Sequence, residues 1–270
     1  MHLVRQQPRR KGLALVELLT VVAILLLLLG IVIPMFLEAR ERSNRFCCQN
    51  NLRAIGQALL AYASENKGRL PATTDPGTLL NLPASTADTA DEPFLTGSAR
   101  PDNVSAAIFH LIPRYDLSPR LFVCPNTDAV ADTLADLPLQ TRTTFTDPKR
   151  NLSYSMQNPY ASSTMTDALR QFRAAKPDFV IMADLNPGIR GEDNNVLAVT
   201  PTSPTEQMRW GNSNNHSKRG QNVLYADGRV EFADNPFVGV DGDNIYTTRN
   251  NTILDYPVDP DDNILLPTGD

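Results

Sequence analysis

The sequence predicts an α+β fold. A long N-terminal helix, with a membrane half and an amphipathic half, packs on a small antiparallel β-sheet domain with long loops. Three observations carry the prediction. Residues 18–37 form a run of 20 without a charge. Leu52, Ile55, Leu59 and Tyr62 recur at helical spacing beyond that run. Residues 222–232, NVLYADGRVEF, place Asp227-Gly228 between two β-type runs, a hairpin signal.

The first element begins with a basic head, Arg5, Arg9, Arg10 and Lys11. After Gly12 comes LALVELLTVVAILLLLLGIVIPMFL, residues 13–37, whose one charge is Glu17. Twenty uncharged residues span ~30 Å as a helix, the thickness of a bilayer core. The basic flank stays in the cytoplasm, which places the rest of the chain outside it. A cleaved secretory signal has a shorter apolar stretch and a small-residue cleavage site, and neither is present here. Glu17 is the anomaly in a plain anchor. A carboxylate inside an apolar helix costs roughly 2.5–3.5 kcal/mol near the membrane centre, less near its edge. Cleavage after Gly12 would expose an ammonium on Leu13, four residues away, and Glu17 could then compensate an amine, its own or a neighbour's. The simpler alternative is that Glu17 reaches the cytoplasmic headgroups.

The helix should continue past the membrane. Pro34 removes one backbone bond and crowds the Gly30 carbonyl, which predicts a kink or melted turn. Glu38–Arg42 and Glu41–Arg45 are i,i+4 pairs with the acid first, the better order. The Leu52, Ile55, Leu59 and Tyr62 stripe requires a globular partner. Gly68 and Pro71 should stop the helix. Leu13 to Lys67 is 55 residues, or ~80 Å of helix. The predicted organisation is therefore a leader (1–12), a membrane segment (13–37), its amphipathic continuation (38–70) and an extracytoplasmic globular domain (71–270).

In the globular part, 71–103 is rich in Pro, Thr, Ala and Asp and reads as a surface excursion. VSAAIFHLIP, 104–113, suggests a short helix, and residues 128–150 another loop. DFVIMAD, Asp178–Asp184, reads as a buried strand. A two-residue type I′ turn at Asp227-Gly228 would put Ala226 opposite Arg229, Tyr225 opposite Val230 and Val223 opposite Phe232. Tyr225, Val223, Val230 and Phe232 would then share one apolar face, and Leu224, Glu231 and Arg229 the other.

Composition narrows the function. Hydrophobic residues are 41% and charged residues 20% of the 270, which excludes a disordered polyelectrolyte and a multi-span membrane protein. The net charge of −5, despite a basic N-terminus, argues against a nucleic-acid partner. No Gly-rich phosphate loop, GxSxG, HExxH or full EF-hand pattern occurs. No nucleophile–base pair is visible either, so the expectation is a protein that is not an enzyme.

The three cysteines are Cys47, Cys48 and Cys124. Outside the cytoplasm disulfides persist. Vicinal pairing is strained, so one of Cys47 and Cys48 is expected to bond Cys124. Zinc binding is a weaker alternative, since no CxxC or Cys/His cluster exists in the sequence. His216, Asp227 and Asp184 form a candidate metal constellation, two carboxylates and an imidazole. Their ordinary roles would be a loop anchor for His216, turn chemistry for Asp227 and a strand end for Asp184. Asp241, Asp243 and Asn244, or Asp259, Asp261 and Asp262, are loosely spaced candidates for calcium. His110 lies in an apolar segment, where packing is the ordinary role. No cofactor is expected beyond such a divalent metal.

The residues K-G-L-A-L-V-E-L-L-T-V-V-A-I resemble the prepilin leader of type IV pilins and type II secretion pseudopilins. The resemblance implies cleavage after Gly12 by a prepilin peptidase, N-methylation of Leu13, where phenylalanine is usual, and Glu17 as the assembly glutamate. Pro34 falls where many pilins also have a proline. C-Q-N-N-L-R-A-I-G-Q-A is similar to the C-x-x-N-L-x-x-I-G-x-A pattern of one prepilin-type subgroup, and L-F-V-C-P-N to its C-P-x segment. That likeness favours Cys48 over Cys47 as the partner of Cys124. N-H-S-K-R-G-Q-N-V-L-Y-A-D-G-R-V resembles the subgroup's C-terminal H-x9-DG motif, although ten residues separate His216 from Asp227 here. The resemblance implies a structural subunit of a secretion pseudopilus or pilus-like filament. Its partners would be the peptidase, other pilin-like subunits, the assembly machinery and the cytoplasmic membrane. The alternative from another class is a membrane-anchored extracytoplasmic metal- or ligand-binding domain that never polymerises.

Overall fold

The computed structural model describes residues 15–72, 104–135, 144–159, 176–188, 196, 199–253 and 257–267. The leader, with Gly12 and Leu13, and nearly all of the 71–103 excursion lie outside them. The chain divides into two units, Met1–Ser43 and Asn44–Asp270.

In the first unit, the described residues belong to helix α1 (Leu15–Glu65), which continues into the second. Its apolar side chains from Leu15 to Leu37 are exposed. A helix of this kind is one that lipid or like helices would cover. The turn at Pro34 is not melted, because α1 is helical throughout. Proline's fixed φ is itself helical, so one lost bond is tolerated in a helix of 51 residues. Arg42 pairs with Glu38 at 2.7 Å, as the i,i+4 spacing predicts.

The second unit is built on a five-stranded antiparallel sheet in the order β4-β3-β2-β1-β5. The strands are β1 (Tyr154–Gln157), β2 (Val180–Asp184), β3 (Gln221–Tyr225), β4 (Val230–Ala233) and β5 (Leu265–Leu266). Short helices among the described residues are α2 (Val104–Phe109), α3 (Leu111–Tyr115), α4 (Pro148–Asn151) and α5 (Thr205–Gly211). The 104–113 segment is thus two helices, broken at His110.

Strand pairing sorts the side chains. Leu224, Met182, Met156 and Leu266 are cross-strand partners in one row, and all belong to the core that contains Cys48, Leu52, Ile55, Leu59 and Tyr62 of α1. The predicted helical stripe is the buried face. Val223 and Ala183 pair on the opposite face, in a second core with Tyr225, Ile245, Tyr246 and Leu265. Gly56 lets α1 approach the sheet, since a Cβ there would lie 3.0 Å from a Leu224 methyl. The helix ends two residues before the expected Lys67. Lys67 and Gly68 both take positive φ, and the Gly68 N–H returns to the Ala63 carbonyl.

The hairpin register corrects the type I′ expectation. Gly228 has φ +87°, whereas Asp227 has no positive φ. The Gly228 N–H bonds the Tyr225 carbonyl, and the Tyr225 N–H bonds the Arg229 carbonyl. The connection is therefore the three residues Ala226–Gly228, with glycine in the left-handed position. The extra loop residue moves the pairing by one. Leu224 faces Val230, Val223 faces Glu231 and Asn222 faces Phe232. A one-residue slip exchanges faces, so Leu224 lies under α1 and Val223 on the far side.

Candidate functional site

Two places on the chain carry features that ordinary packing does not require. The first is the apolar segment of α1 with Glu17 near its start. Among its described contacts, Thr20 Oγ1 donates to the Glu17 carbonyl at 2.9 Å. Proximity to Leu13 falls outside the described residues.

The second lies in the globular unit, on the helix-facing side of the sheet. Here α1 offers one polar stripe, Asn44, Cys48 and Asn51, at i, i+4 and i+7. Asn44 Nδ2 donates to Asn126 Oδ1 at 2.9 Å. Asn51 Nδ2 donates to the Val123 carbonyl and to the Tyr154 hydroxyl, both at 3.2 Å. Between them, the sulfurs of Cys48 and Cys124 lie 2.7 Å apart as thiols, both fully buried. Cys47, one residue earlier, is exposed. The loop around Cys124 is held from behind, where Asn126 Nδ2 donates to the Asn215 carbonyl at 2.8 Å.

Asp184 and His216 complete the cluster, each fully buried. The Asp184 carboxylate accepts from the Asn222 N–H at 2.6 Å, from Asn222 Nδ2 at 3.1 Å and from Asn215 Nδ2 at 3.2 Å. His216 Nε2 lies 3.0 Å from Asn222 Nδ2, 3.4 Å from Asp184 Oδ2 and 3.9 Å from Cys124 Sγ. Phe232 closes the far side of the ring edge-on, and Arg45 of α1 covers Phe232.

The electrostatics follow from burial and from the shared sulfur contact. Burial pushes the Asp184 carboxyl up to about 7, against the pull of His216 and of its amide donors. The Cys48 thiol is lowered to about 6, chiefly by its hydrogen bond with Cys124 and further by His216. Cys124, the other half of that contact, is raised.

Of the three residues expected to hold a metal, the structure brings His216 and Asp184 together and leaves Asp227 out. Asp227 sits in the β3–β4 turn, where its carboxylate accepts from the Arg229 N–H at 2.9 Å and from its guanidinium at 3.2 Å. Cys48, Cys124 and His216 do place their ligand atoms within 4.8 Å of one another. Two thiolates on one zinc, at ~2.3 Å each in a tetrahedron, would stand well over 3 Å apart. The observed sulfur gap is shorter, and an amide already occupies His216 Nε2. The arrangement fits a sulfur–sulfur bond better than a metal cage.

A Cys–His–Asp set also suggests a catalytic triad, but the edges are wrong. In a triad the acid holds one imidazole nitrogen and the nucleophile meets the other. Here carboxylate and sulfur both face Nε2, inside the protein.

The acidic loops proposed for calcium hold the chain's own cations instead. Arg249 pairs with Asp259 at 2.8 Å and Lys176 with Asp261 at 2.8 Å. Both Asp262 oxygens accept backbone N–H groups, and Asn244 Oδ1 accepts the Tyr246 N–H.

Asn51, Tyr154, Asn215 and Asn222 are the members that sequence reasoning missed. Asn51 lies inside the quoted C-Q-N-N-L-R-A-I-G segment, which was the available signal. Asn215 and Asn222 lie inside the quoted N-H-S-K-R-G-Q-N-V segment and Tyr154 inside R-N-L-S-Y-S-M, which resembles the same subgroup, but only the fold brings them together.

Over 65 residues the chain is 38% identical to the type IV major pilin protein PilA of Myxococcus xanthus (strain DK1622). The stretch covers 24% of this chain and 30% of that protein, so the chain spans under a third of its length. No family model matches the chain, and no solved structure matches it. The long apolar helix and this partial likeness fit a pilin-like protein. They are also consistent with membrane anchoring.

Proposed function

We propose that the chain is a pilin-like structural subunit that assembles into a pilus-like filament or secretion pseudopilus. In this reading residues 1–12 are removed after Gly12 by a prepilin peptidase, and Leu13 becomes an N-methylated terminus. The apolar part of α1 first anchors the protein in the cytoplasmic membrane, with the globular part outside. It then packs against the same segment of like subunits when the assembly machinery extracts it. The observation that carries the reading is the exposed apolar face from Leu15 to Leu37, interrupted by one acid. Leaving the bilayer with those side chains uncovered is prohibitive unless other helices replace the lipid.

Glu17 neutralises the Leu13 amine of a neighbouring subunit and sets the stagger between helices. Pro34 lets the helix bend as it leaves the membrane. The test is the mature N-terminus together with Glu17→Leu. Mass spectrometry of the native protein should find a chain beginning at methylated Leu13. Glu17→Leu should leave membrane insertion and folding intact while reducing incorporation into filaments at least tenfold. An unprocessed chain, or a Glu17→Leu variant that still polymerises, refutes the proposal.

A further inference from the structure

We propose that Cys48 and Cys124 are a modification site. They form a buried dithiol that closes to a disulfide by exchange with a protein disulfide and fastens the soluble part of α1 to the sheet.

Four observations support it. The sulfurs lie at 2.7 Å, within reach of a bond and closer than unbonded sulfurs rest. They sit in the middle of the polar stripe that pins α1, between the Asn44 and Asn51 contacts. Cys47 points outward, so Cys124 has one partner. His216 Nε2 faces Cys124 at 3.9 Å, with Asn222 and Asp184 fixing the ring from the same side. Hydrogen bonding of the sheet alone does not require an imidazole turned toward a thiol.

The chemistry balances as a two-step exchange. The Cys48 thiolate attacks one sulfur of the oxidising protein's disulfide, giving a mixed disulfide and releasing one thiolate. Cys124 gives its proton to solvent and, as a thiolate, attacks the Cys48 sulfur. The second thiolate of the oxidant leaves and is protonated. Two thiols of this chain are oxidised and one disulfide of the partner is reduced. Both sulfurs are fully buried once α1 is docked. The first step therefore precedes docking, and packing afterwards shields the bond from reductants.

Formation in cells rests on the extracytoplasmic placement in the proposed function; the pairing itself does not. The test uses the full chain in detergent. Protein that has been reduced and unfolded is refolded into detergent with oxidised glutathione, then denatured and alkylated without reductant. One label, on Cys47, with the mass lower by two hydrogens is expected, and reduction should expose two more sites. Three labels, or pairing through Cys47, overturns the proposal. One zinc per chain removed only by chelator, with three free thiols after glutathione treatment, overturns it in favour of a metal site. Cys124→Ser should give labels on Cys47 and Cys48, a count made on the unfolded chain and so independent of whether the variant folds. Chains that close with glutathione but carry three free thiols when taken from cells overturn the extracytoplasmic placement and leave the pair standing.

Discussion

Gly56 decides whether α1 is seated on β3. Its missing side chain leaves room for Leu224, whose two methyls would stand 3.0 and 3.1 Å from an added Cβ. Gly56→Ala gains about 1 kcal/mol in helix propensity. It loses a similar amount by pushing Leu224 back a few tenths of an ångström in a packed core. The two effects nearly cancel, so the variant should lie within about 1 kcal/mol of the wild type. Gly56→Val adds two more methyl groups with nowhere to go, and overpacking wins by about 3 kcal/mol. For a domain of this size that lowers the Tm by about 6–12 °C. Shortening the obstacle should restore room. Leu224→Ala alone costs about 2–5 kcal/mol, yet combined with Gly56→Val the losses should fall short of the sum by more than about 1 kcal/mol. The assay is thermal unfolding of the detergent-solubilised full chain, followed by the near-ultraviolet dichroism of the buried Tyr62, Tyr154 and Tyr246. A Gly56→Val variant as stable as wild type, or strict additivity in the double variant, would show that the helix does not rest on Leu224.

Two further outcomes follow from the globular unit. His110 is 6% exposed and its Nε2 has no hydrogen-bond partner among the described residues; burial, then the Arg114 charge, lowers its pKa to about 4. The unfolded chain takes up that proton first, so stability falls by about 3 kcal/mol as pH drops from the ordinary imidazole range to about 4. His110→Phe should flatten this acid limb in a stability-versus-pH series, and an unchanged limb would refute the assignment. Asp184 works in the opposite sense: its raised folded pKa, about 7, means that stability is lost as pH rises from the ordinary carboxylate range toward 7. Gly220 has φ +146°, and a Cβ would strike the Ala233 carbonyl oxygen and the Phe232 ring. Gly220→Ala should cost about 3 kcal/mol or more in the same melts; a cost under about 1 kcal/mol would mean that the β3–β4 pairing starts elsewhere.

The long helix was legible because its signals are local. An uncharged run, i,i+4 pairs, a stripe at 3–4 spacing and a terminal glycine each need no more than about twenty residues of context. The β3–β4 hairpin was legible as an element but not in register. Asp-Gly serves both a two-residue turn and a three-residue connection with glycine left-handed, and the choice exchanges every face. Alternation could not settle it, because β3 is buried on both sides. The cluster behind α1 was less legible still. Its members come from a helix, a loop, three strands and a turn, with a sequence separation of 76 between the two cysteines and 92 between Cys124 and His216. Asp227 entered the candidate set because a turn aspartate and a ligand aspartate look alike in sequence. Asp184 and His216 were singled out together with Asp227, and Cys48 with Cys124, but nothing local joined the two sets.

The polar stripe on α1 also explains something apolar packing cannot. Burial of Leu52, Ile55, Leu59 and Tyr62 is non-directional, and a helix sliding by one turn, ~5.4 Å, would still bury an apolar face. Asn51 opposes that slide because its amide must meet both the Val123 carbonyl and the Tyr154 hydroxyl. Asn51→Leu separates the two contributions. The new side chain adds about 1–2 kcal/mol of burial, while two groups lose their Asn51 donor at about 1–3 kcal/mol each. The net loss should be about 1–3 kcal/mol. Asn51→Asp is the sharper variant, since a carboxylate has no proton to give the Val123 carbonyl and repels it, so it should lose more than Asn51→Leu despite its closer shape. If Asn51→Asp proved the milder change in thermal unfolding, the amide would be a bystander and the register of α1 would be set by packing alone.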